Sequence, residues 1–161
     1  MKLTSNPMFK WLSISSFIIM LDQITKQLAE NSLALYERIS VMPLFNITLA
    51  YNEGAAFSFL ADAGGWQRWF FVILTLVIST VLIIWLKKTE YKIEQWAISL
   101  VLGGAIGNLI DRLLFGHVID FLDFYYGTYH WPAFNVADMA IVGGVALLVL
   151  ATFTQPKPAE S

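Results

Sequence analysis

The stretch WFFVILTLVISTVLIIWL, from Trp69 to Leu86, contains no charged residue and decides the class of fold. Arg68 precedes it, and Lys87 and Lys88 follow it. A helix needs about 20 predominantly apolar residues to cross the hydrocarbon core of a bilayer, and tryptophan suits both interfaces. We therefore predict a transmembrane helix over residues 68–87.

The whole chain has the composition of a membrane protein. Of its 161 residues, 57% are hydrophobic and only 14% are charged, whereas about a quarter of an average soluble domain is charged. A net charge of −2 without a basic run argues against nucleic acid as a partner. The absence of cysteine excludes disulfides and thiolate metal sites. This length favours one domain, residues 1–161.

Three further segments are predicted to cross the membrane as helices, at residues 10–28, 94–113 and 136–154. The N-terminal segment begins like a secretory signal peptide, with an apolar run from Trp11 to Leu21, but no small-residue cleavage site follows promptly. Instead, Asp22 and Lys26 lie four residues apart, on one face of a helix, where they can pair. We interpret the segment as a retained helix.

Four crossings place both termini on the same side of the membrane. The basic residues then divide into Lys2, Lys10, Lys87, Lys88, Lys92 and Lys157 on that side, and Lys26, Arg38, Arg68 and Arg112 on the other. Since the more basic side faces the cytoplasm, both termini are predicted to be cytoplasmic. The predicted fold is an all-α membrane protein with four transmembrane helices.

Two segments on the outer side are predicted not to be helical. Residues 36–60 are rich in β-branched and aromatic residues, with Asn52, Glu53 and Gly54 forming a turn signal, which predicts a small β-element. The aromatic segment from Phe115 to Phe134 is predicted to lie at the membrane interface. Either segment could also be an ordinary amphipathic connector.

Polar residues gather at the outer ends of the predicted helices and in these segments. A charge at the centre of a membrane helix costs about 2.5–3.5 kcal/mol, although the cost falls near the surface. A single polar residue near the membrane surface needs no functional explanation, but a group of them indicates a functional site. The group comprises Asp22, Lys26, Asn52, Asn108, Asp111, Arg112, Asp120, Asp123, Asn135 and Asp138.

The third predicted helix carries part of this group on one face. Helical spacing aligns Gly104, Asn108, Asp111 and Arg112. Small residues four apart, at Gly103 and Gly107, would let another helix approach closely. The glycines are explained by packing alone, whereas a buried amide at Asn108 needs hydrogen-bond partners.

Asp138 stands at the start of the last predicted helix and has two interpretations. With Asn135 as N-cap, Asp138 occupies the third position of a capping box. Alternatively, it faces a second carboxylate, either Asp120 or Asp123, which alternation along a strand would point in opposite directions. Two adjacent carboxyl groups share one proton, and such a pair can activate water. Spacing alone leaves the partner open.

Five motifs occur in order along the chain: DQITK (Asp22–Lys26), NEGAAFS (Asn52–Ser58), GGAIGNLIDR (Gly103–Arg112), GHVIDF (Gly116–Phe121) and FNVAD (Phe134–Asp138). Together they resemble the signal peptidase II family, the lipoprotein signal peptidases, which are aspartic peptidases of the bacterial inner membrane. The resemblance implies that Asp120 and Asp138 are the catalytic pair and that Asp123 is an exposed loop acid.

The same resemblance implies roles for the remaining polar residues. Asn108 and Arg112 would hold the substrate, Asn135 would order the surroundings of the pair, and Asp22 with Lys26 would support the outer end of the first helix. Asn52 and Gly54 would also line the site. The implied substrate is a prolipoprotein whose cysteine carries diacylglycerol, cut immediately before that cysteine. A monomer in contact with membrane lipids is implied, with its site near the periplasmic surface and without metal or organic cofactor.

Three other functions compete with this one. A small membrane transporter could use Asp22, Asp111 and Asp138, but transport sites usually lie at the bilayer midplane, where these helices carry no charge. A membrane-helix chaperone would bind the same substrate without cutting it. A serine peptidase would depend on Ser58, which has no lysine or histidine in evident register.

Overall fold

A computed structural model describes residues 7–54 and 65–154 of the chain. Its elements follow the order α1 (Pro7–Ser32), β1 (Arg38–Met42), β2 (Phe45–Asn52), α2 (Trp66–Lys88), α3 (Lys92–Leu114), β3 (Val118–Tyr126), β4 (Tyr129–His130) and α4 (Val136–Thr154). Each predicted helix is present, and α4 has the predicted bounds. The proposed nucleophile Ser58 lies outside the described residues, as does the end of the predicted β-element.

Three helices of the described part of the chain, namely α2, α3 and α4, are long and apolar enough to cross a membrane. α1 is 26 residues long but carries several charges along its length. Two of them, on Asp22 and Lys26, are hidden inside the protein, with exposed fractions of 0% and 1%. The crossing of α1 stays a prediction.

α3 is the central helix and packs against α1, α2 and α4. Its glycines permit the close approach that their spacing predicted. A Cβ atom on Gly103 would lie 2.8 Å from Cβ of Ile18 in α1, and one on Gly107 would lie 2.6 Å from Oδ2 of Asp22. On the other side, Gly144 of α4 packs against the Ala97 carbonyl, which a Cβ atom would approach to 2.7 Å.

The interior of the bundle is apolar at one end and polar at the other. Near the turn between α2 and α3, a core cluster is formed by Trp11, Leu82, Leu86, Ile98 and Val101. At the opposite end of α3, the buried residues include Asn108, Asp111 and Arg112. The polar end is the one that the β-strands cover.

The strands form one antiparallel sheet in the order β1-β2-β3-β4. β1 and β2 confirm the β-element within residues 36–54. The segment from Phe115 to Phe134 is more than an interfacial connector, because it supplies β3 and β4 to the same sheet. Pairing with β2 satisfies the backbone of β3, which the composition of that segment alone could not indicate.

A β-bulge divides the pairing of β2 with β3 into two halves. Asn46 pairs with Asp123 in the first half, and Ala50 pairs with Asp120 in the second. β2 therefore contributes one more residue than β3 between these pairs. Since a bulge changes the direction in which side chains point, Asn52 comes to lie on the same face as Asp120.

Candidate active site

A tight turn after α3 brings β3 back over the end of that helix. Gly116 adopts a φ of 86°, a left-handed conformation that glycine tolerates without strain. Its N–H donates to the Arg112 carbonyl at 3.2 Å. The N–H of Ile119 then donates to Oδ2 of Asp111 at 3.1 Å, which places the next residue, Asp120, beside the helix end.

Asp120 is a buried carboxyl group, with an exposed fraction of 3%. It accepts hydrogen bonds from Nδ2 of Asn135 at 2.7 Å and from Nδ2 of Asn52 at 3.2 Å. Burial raises the pKa of Asp120 to about 7, and the nearby charge of Asp138 acts in the same direction. The two amide hydrogen bonds and the charge of Lys26 oppose this rise in pKa but do not cancel it.

Asp138 lies in the first turn of α4 and is only partly buried. Its N–H donates to Oδ1 of Asn135 at 2.9 Å, while the N–H of Asn135 donates to Oδ2 of Asp138 at 3.2 Å. This reciprocal pair is the predicted capping box. The other carboxylate oxygen, Oδ1, accepts a hydrogen bond from Nδ2 of Asn108 at 2.8 Å.

Asn135 connects the two carboxyl groups and is itself fully buried. Its side-chain amide binds Asp120, and its main-chain N–H binds Asp138. The same side-chain amide also lies 3.2 Å from Oδ1 of Asn108. The structure therefore brings Asp120 and Asp138 to one residue, so that the two interpretations of Asp138, cap and member of a carboxyl pair, are compatible.

A buried lysine, Lys26, binds Asn108, which in turn binds Asp138. Lys26 Nζ lies 2.7 Å from Asp22 and 2.8 Å from Asp111, and it donates to Oδ1 of Asn108 at 2.9 Å. The carbonyl end of the Asn108 amide thus faces Lys26, and its NH₂ group faces Asp138. Asp22 also accepts a hydrogen bond from the N–H of Ala137 at 2.8 Å, at the start of α4. The predicted Asp22–Lys26 pair is confirmed.

Arg112 closes the site on the side of β2. Its Nη2 atom donates to the Gly54 carbonyl at 3.0 Å, and its guanidinium lies 5.0 Å from the centre of the Phe71 ring. Oδ1 of Asn52 accepts a hydrogen bond from the N–H of Gly54 at 3.1 Å. The Nε atom of Arg112 is buried without a hydrogen-bond partner in the described part of the chain.

Comparison with known proteins explains this arrangement. The model of the family described as signal peptidase (SPase) II matches residues 14–154. This chain belongs to the signal peptidase II family. Among curated relatives, the lipoprotein signal peptidase of Hydrogenovibrio crunogenus is 54% identical over 145 residues, which cover 89% of this chain and 83% of the relative. That of Alteromonas mediterranea is 52% identical over 147 residues, covering 90% and 80%.

The fold agrees with the same family. A solved structure described as a bacterial membrane enzyme is similar to this chain with a TM-score of 0.83 and 34% identity, covering 94% of this chain and 93% of that chain. A second structure with the same description has a TM-score of 0.79, also at 34% identity. As a signal peptidase II with apolar helices, the chain is a multi-pass membrane protease. Neither the transporter nor the non-cleaving chaperone fits this family.

One expectation drawn from the resemblance to signal peptidase II is wrong. Asp123 is not an exposed loop acid, because its exposed fraction is 2%. β3 continues to Tyr126, and Asp123 lies within it, bound to Nδ2 of Asn46 at 2.9 Å and to Nδ1 of His130 at 2.9 Å. It nevertheless belongs to the face of β3 opposite to Asp120, as alternation predicted.

Two residues that bind buried carboxylates were not singled out from the sequence. Gln23 donates to Oδ1 of Asp111 at 2.8 Å and to the Gly107 carbonyl at 3.2 Å, which ties α1 to α3. Its position inside the DQITK motif was the available signal. The second missed residue is His130, which binds Asp123. Nothing in its sequence context indicated this contact.

Proposed function

We propose that this chain cleaves the signal peptide from diacylglyceryl-modified prolipoproteins, immediately before the lipidated cysteine, and that Asp120 and Asp138 activate the attacking water. One observation carries the catalytic assignment. A single buried residue, Asn135, binds Asp120 through its side chain at 2.7 Å and Asp138 through its main chain at 3.2 Å. Two carboxyl groups held in this way can share one proton and perform acid–base chemistry.

The different surroundings of the two carboxyl groups support a division of labour. Asp120 is the more buried group, and its raised pKa, about 7, favours its protonated form. Asp138 is the less buried group, at the N-terminal end of α4, where it accepts two N–H hydrogen bonds. In this proposal, Asp138 is the general base and Asp120 is the general acid.

The proposed reaction balances as a hydrolysis. Asp138 takes a proton from water as the water oxygen bonds to the scissile carbonyl carbon, and Asp120 gives its proton to the carbonyl oxygen. The tetrahedral intermediate then collapses: Asp120 regains a proton, and the amide nitrogen receives the proton from Asp138. The C–N bond breaks, which releases the carboxyl end of the signal peptide and the amino group of the lipidated cysteine.

The polar lining of the site suits an unwound membrane peptide. A signal peptide is apolar and helical, and its peptide bonds are exposed to attack only where the helix opens. Backbone groups freed in this way need partners, because lipid offers none. The guanidinium of Arg112, whose Nε has no partner among the residues that the structure describes, and the amide of Asn52 supply donors beside the carboxyl pair. Arg112 is therefore assigned to substrate binding, whereas Asn108, whose amide binds Lys26 and Asp138, is assigned to supporting the pair.

The proposal includes a position in the membrane. α1 contains 26 residues and is about 39 Å long at 1.5 Å per residue. It buries Asp22 and Lys26 but exposes Phe17, Met20 and Ile24, so its outer face suits lipid. We infer that α1 is a fourth crossing helix of a single domain, residues 1–161. The chain would then be a monomer of the bacterial inner membrane, with cytoplasmic termini and a site near the periplasmic surface.

The decisive experiment uses the purified protein in detergent with a precursor carrying diacylglyceryl-cysteine and with the unmodified precursor. We expect cleavage of the modified precursor alone. Asp120→Asn and Asp138→Asn should each lower the rate by about 10²–10⁴-fold, although both variants remain folded. Near-normal turnover by either variant would contradict the carboxyl pair, and equal cleavage of both precursors would contradict the substrate class.

A further inference from the structure

The carboxylate of Asp123 is contacted from each of the other three strands. It accepts a hydrogen bond from Nδ2 of Asn46 in β2 at 2.9 Å, and both its oxygens lie 2.9 Å from Nδ1 of His130 in β4. Nε of Arg38 in β1 lies 3.6 Å away. The side chain of Asp123 is buried, whereas that of Arg38 is largely exposed. Asp123 is thus the point at which all four strands are joined by side chains.

We propose that Asp123 is a positioning residue for the peptidase reaction, which fixes the sheet so that the amides of Asn52 and Asn135 reach Asp120. This inference rests on the proposed role of Asp120 as a member of the catalytic pair. Asp123 faces away from Asp120 and acts through the backbone of the strands.

The first connection runs through β2. The Asn46–Asp123 hydrogen bond joins directly paired residues, on the far side of the bulge from the Ala50–Asp120 pair. A slip of one residue in β2 would turn its side chains to the opposite face. Asn52 would then lose its hydrogen bond to Asp120, which is 3.2 Å long in the structure. The buried Asn46–Asp123 pair, on one face of the sheet, therefore favours a single register of β2 against β3.

The second connection runs through the segment that leads into α4. Leu122, the residue before Asp123, exchanges two backbone hydrogen bonds with Phe134, of 2.9 and 3.1 Å. Asn135 follows Phe134 directly, and its amide binds Asp120. The contact between His130 and Asp123 holds the beginning of this same returning segment. Both amides that bind Asp120 are therefore carried by elements anchored at Asp123.

The test compares two substitutions at this position. Asp123→Ala removes every side-chain contact, so we expect kcat to fall roughly 10–100-fold, the size of effect that a small misplacement of reacting groups produces. KM should change little, because Asp123 touches no proposed substrate-binding residue. Asp123→Asn keeps an acceptor oxygen of the same shape and should retain most of the wild-type kcat. This rescue would not occur if Asp123 were itself a catalytic acid.

Glu37→Ala is the matched control, since Glu37 is an exposed carboxylate just before β1, and it should leave kcat unchanged. Rates are expressed per folded molecule, with the folded fraction taken from thermal unfolding and size-exclusion chromatography. If Asp123→Ala does not fold, Asn46→Ala removes one contact alone and should lower kcat in the same direction by a smaller factor. Unchanged kcat in the folded variant would overturn the inference, as would Asp123→Asn being as inactive as Asp123→Ala.

Asp120→Asn, measured in parallel, separates this inference from the proposed function. If Asp120→Asn is inactive and Asp123→Ala is normal, the positioning role alone is wrong. If Asp120→Asn is active, the catalytic pair is wrong, and the positioning role falls with it.

Discussion

Asn135 and Asp138 bind each other twice, each donating its main-chain N–H to the side chain of the other, at 3.2 and 2.9 Å. This capping box satisfies donors at the first turn of α4, which have no partner within the helix. It also fixes the direction of both side chains. The side-chain NH₂ group of Asn135 points toward Asp120, and Oδ1 of Asp138 points toward Asn108. The capping box that begins α4 therefore also brings together the two members of the proposed catalytic pair.

The two roles of Asn135 can be separated by substitution. Serine is also a favoured N-cap, but it has no amide to reach Asp120. Asn135→Ser keeps the cap and should lower kcat roughly 2–10-fold, since a hydrogen bond between neutral groups contributes about 0.5–1.5 kcal/mol. Asn135→Ala should lower kcat similarly and cost about 1 kcal/mol of stability as well. Thermal unfolding and cleavage rates check both; equal stability of the two variants would contradict the capping role.

The raised pKa of Asp120 predicts the pH dependence of cleavage. If Asp120 must be protonated to act as the acid, kcat/KM should decline as the pH rises through about 7, the pKa to which burial raises this carboxyl group. The measurement is the initial rate of cleavage between pH 5 and pH 9, with each precursor concentration well below KM. A rate that is flat from pH 6 to pH 9 would contradict Asp120 as the acid.

The same pKa predicts a pH-dependent contribution to stability. In the unfolded chain Asp120 has its ordinary pKa near 4, so the folded state binds its proton more tightly. Its contribution to stability is greatest below pH 4, decreases as the pH rises from about 4 to about 7, and is constant above that. Asp120→Asn removes the cost of burying an ionised carboxylate at high pH. The unfolding temperature of this variant should therefore exceed that of the unchanged protein at pH 8 and approach it at pH 4. A constant difference across this range would contradict the raised pKa.

Two adjacent glycines of α4 offer a matched test of helix packing. A Cβ atom on Gly144 would lie 2.6 Å from Cγ2 of Val101 and 2.7 Å from the Ala97 carbonyl, so Gly144→Ala must push α4 away from α3. A Cβ atom on Gly143 would meet nothing within 4 Å. We expect Gly144→Ala to lower the unfolding temperature and Gly143→Ala to leave it unchanged or raise it, since alanine is favoured over glycine in a helix by up to about 1 kcal/mol. Equal effects at both positions would show that the helices are not in such close contact.

Lys26 should be essential for stability because it compensates two buried carboxylates. Lys26→Met leaves Asp22 and Asp111 without their cation, a change that costs about 3–5 kcal/mol for a buried pair. Adding Asp22→Asn and Asp111→Asn to Lys26→Met should restore much of the folded yield, because no uncompensated charge is then buried. Thermal unfolding and yield in detergent measure both effects. A lysine variant as stable as the unchanged protein would contradict the buried network.

The features that could be predicted from the sequence are those set by residues close together along the chain. The apolar run between Arg68 and Lys87 predicted α2, and α4 followed from its length of apolar sequence and its capping box. The Asp22–Lys26 pair and the small-residue faces of α3 depend on spacings of four residues within one helix. Those predictions are confirmed, since a helix brings such residues to one face whatever surrounds it.

The partners that join distant segments could not be predicted in the same way. Residue spacing left both Asp120 and Asp123 open as the partner of Asp138, and the resemblance then misplaced Asp123 on the surface. Its burial depends on β2 and β4, whose pairing with β3 cannot be inferred from the composition of β3. Likewise, the third residue of the lysine network, Asp111, is on a different helix from Asp22 and Lys26.

The sequence by itself therefore determined an apolar helical protein with polar residues at one end. It also determined the capping box and the helix faces, because these depend on periodicity and on neighbouring side chains. Only the tertiary structure decided which acid meets Asn135, how the bulge directs Asn52 to Asp120, and that Asp123 joins the sheet. Each of these depends on backbone pairing between remote segments, which burial and hydrogen bonding select only when the whole chain has folded.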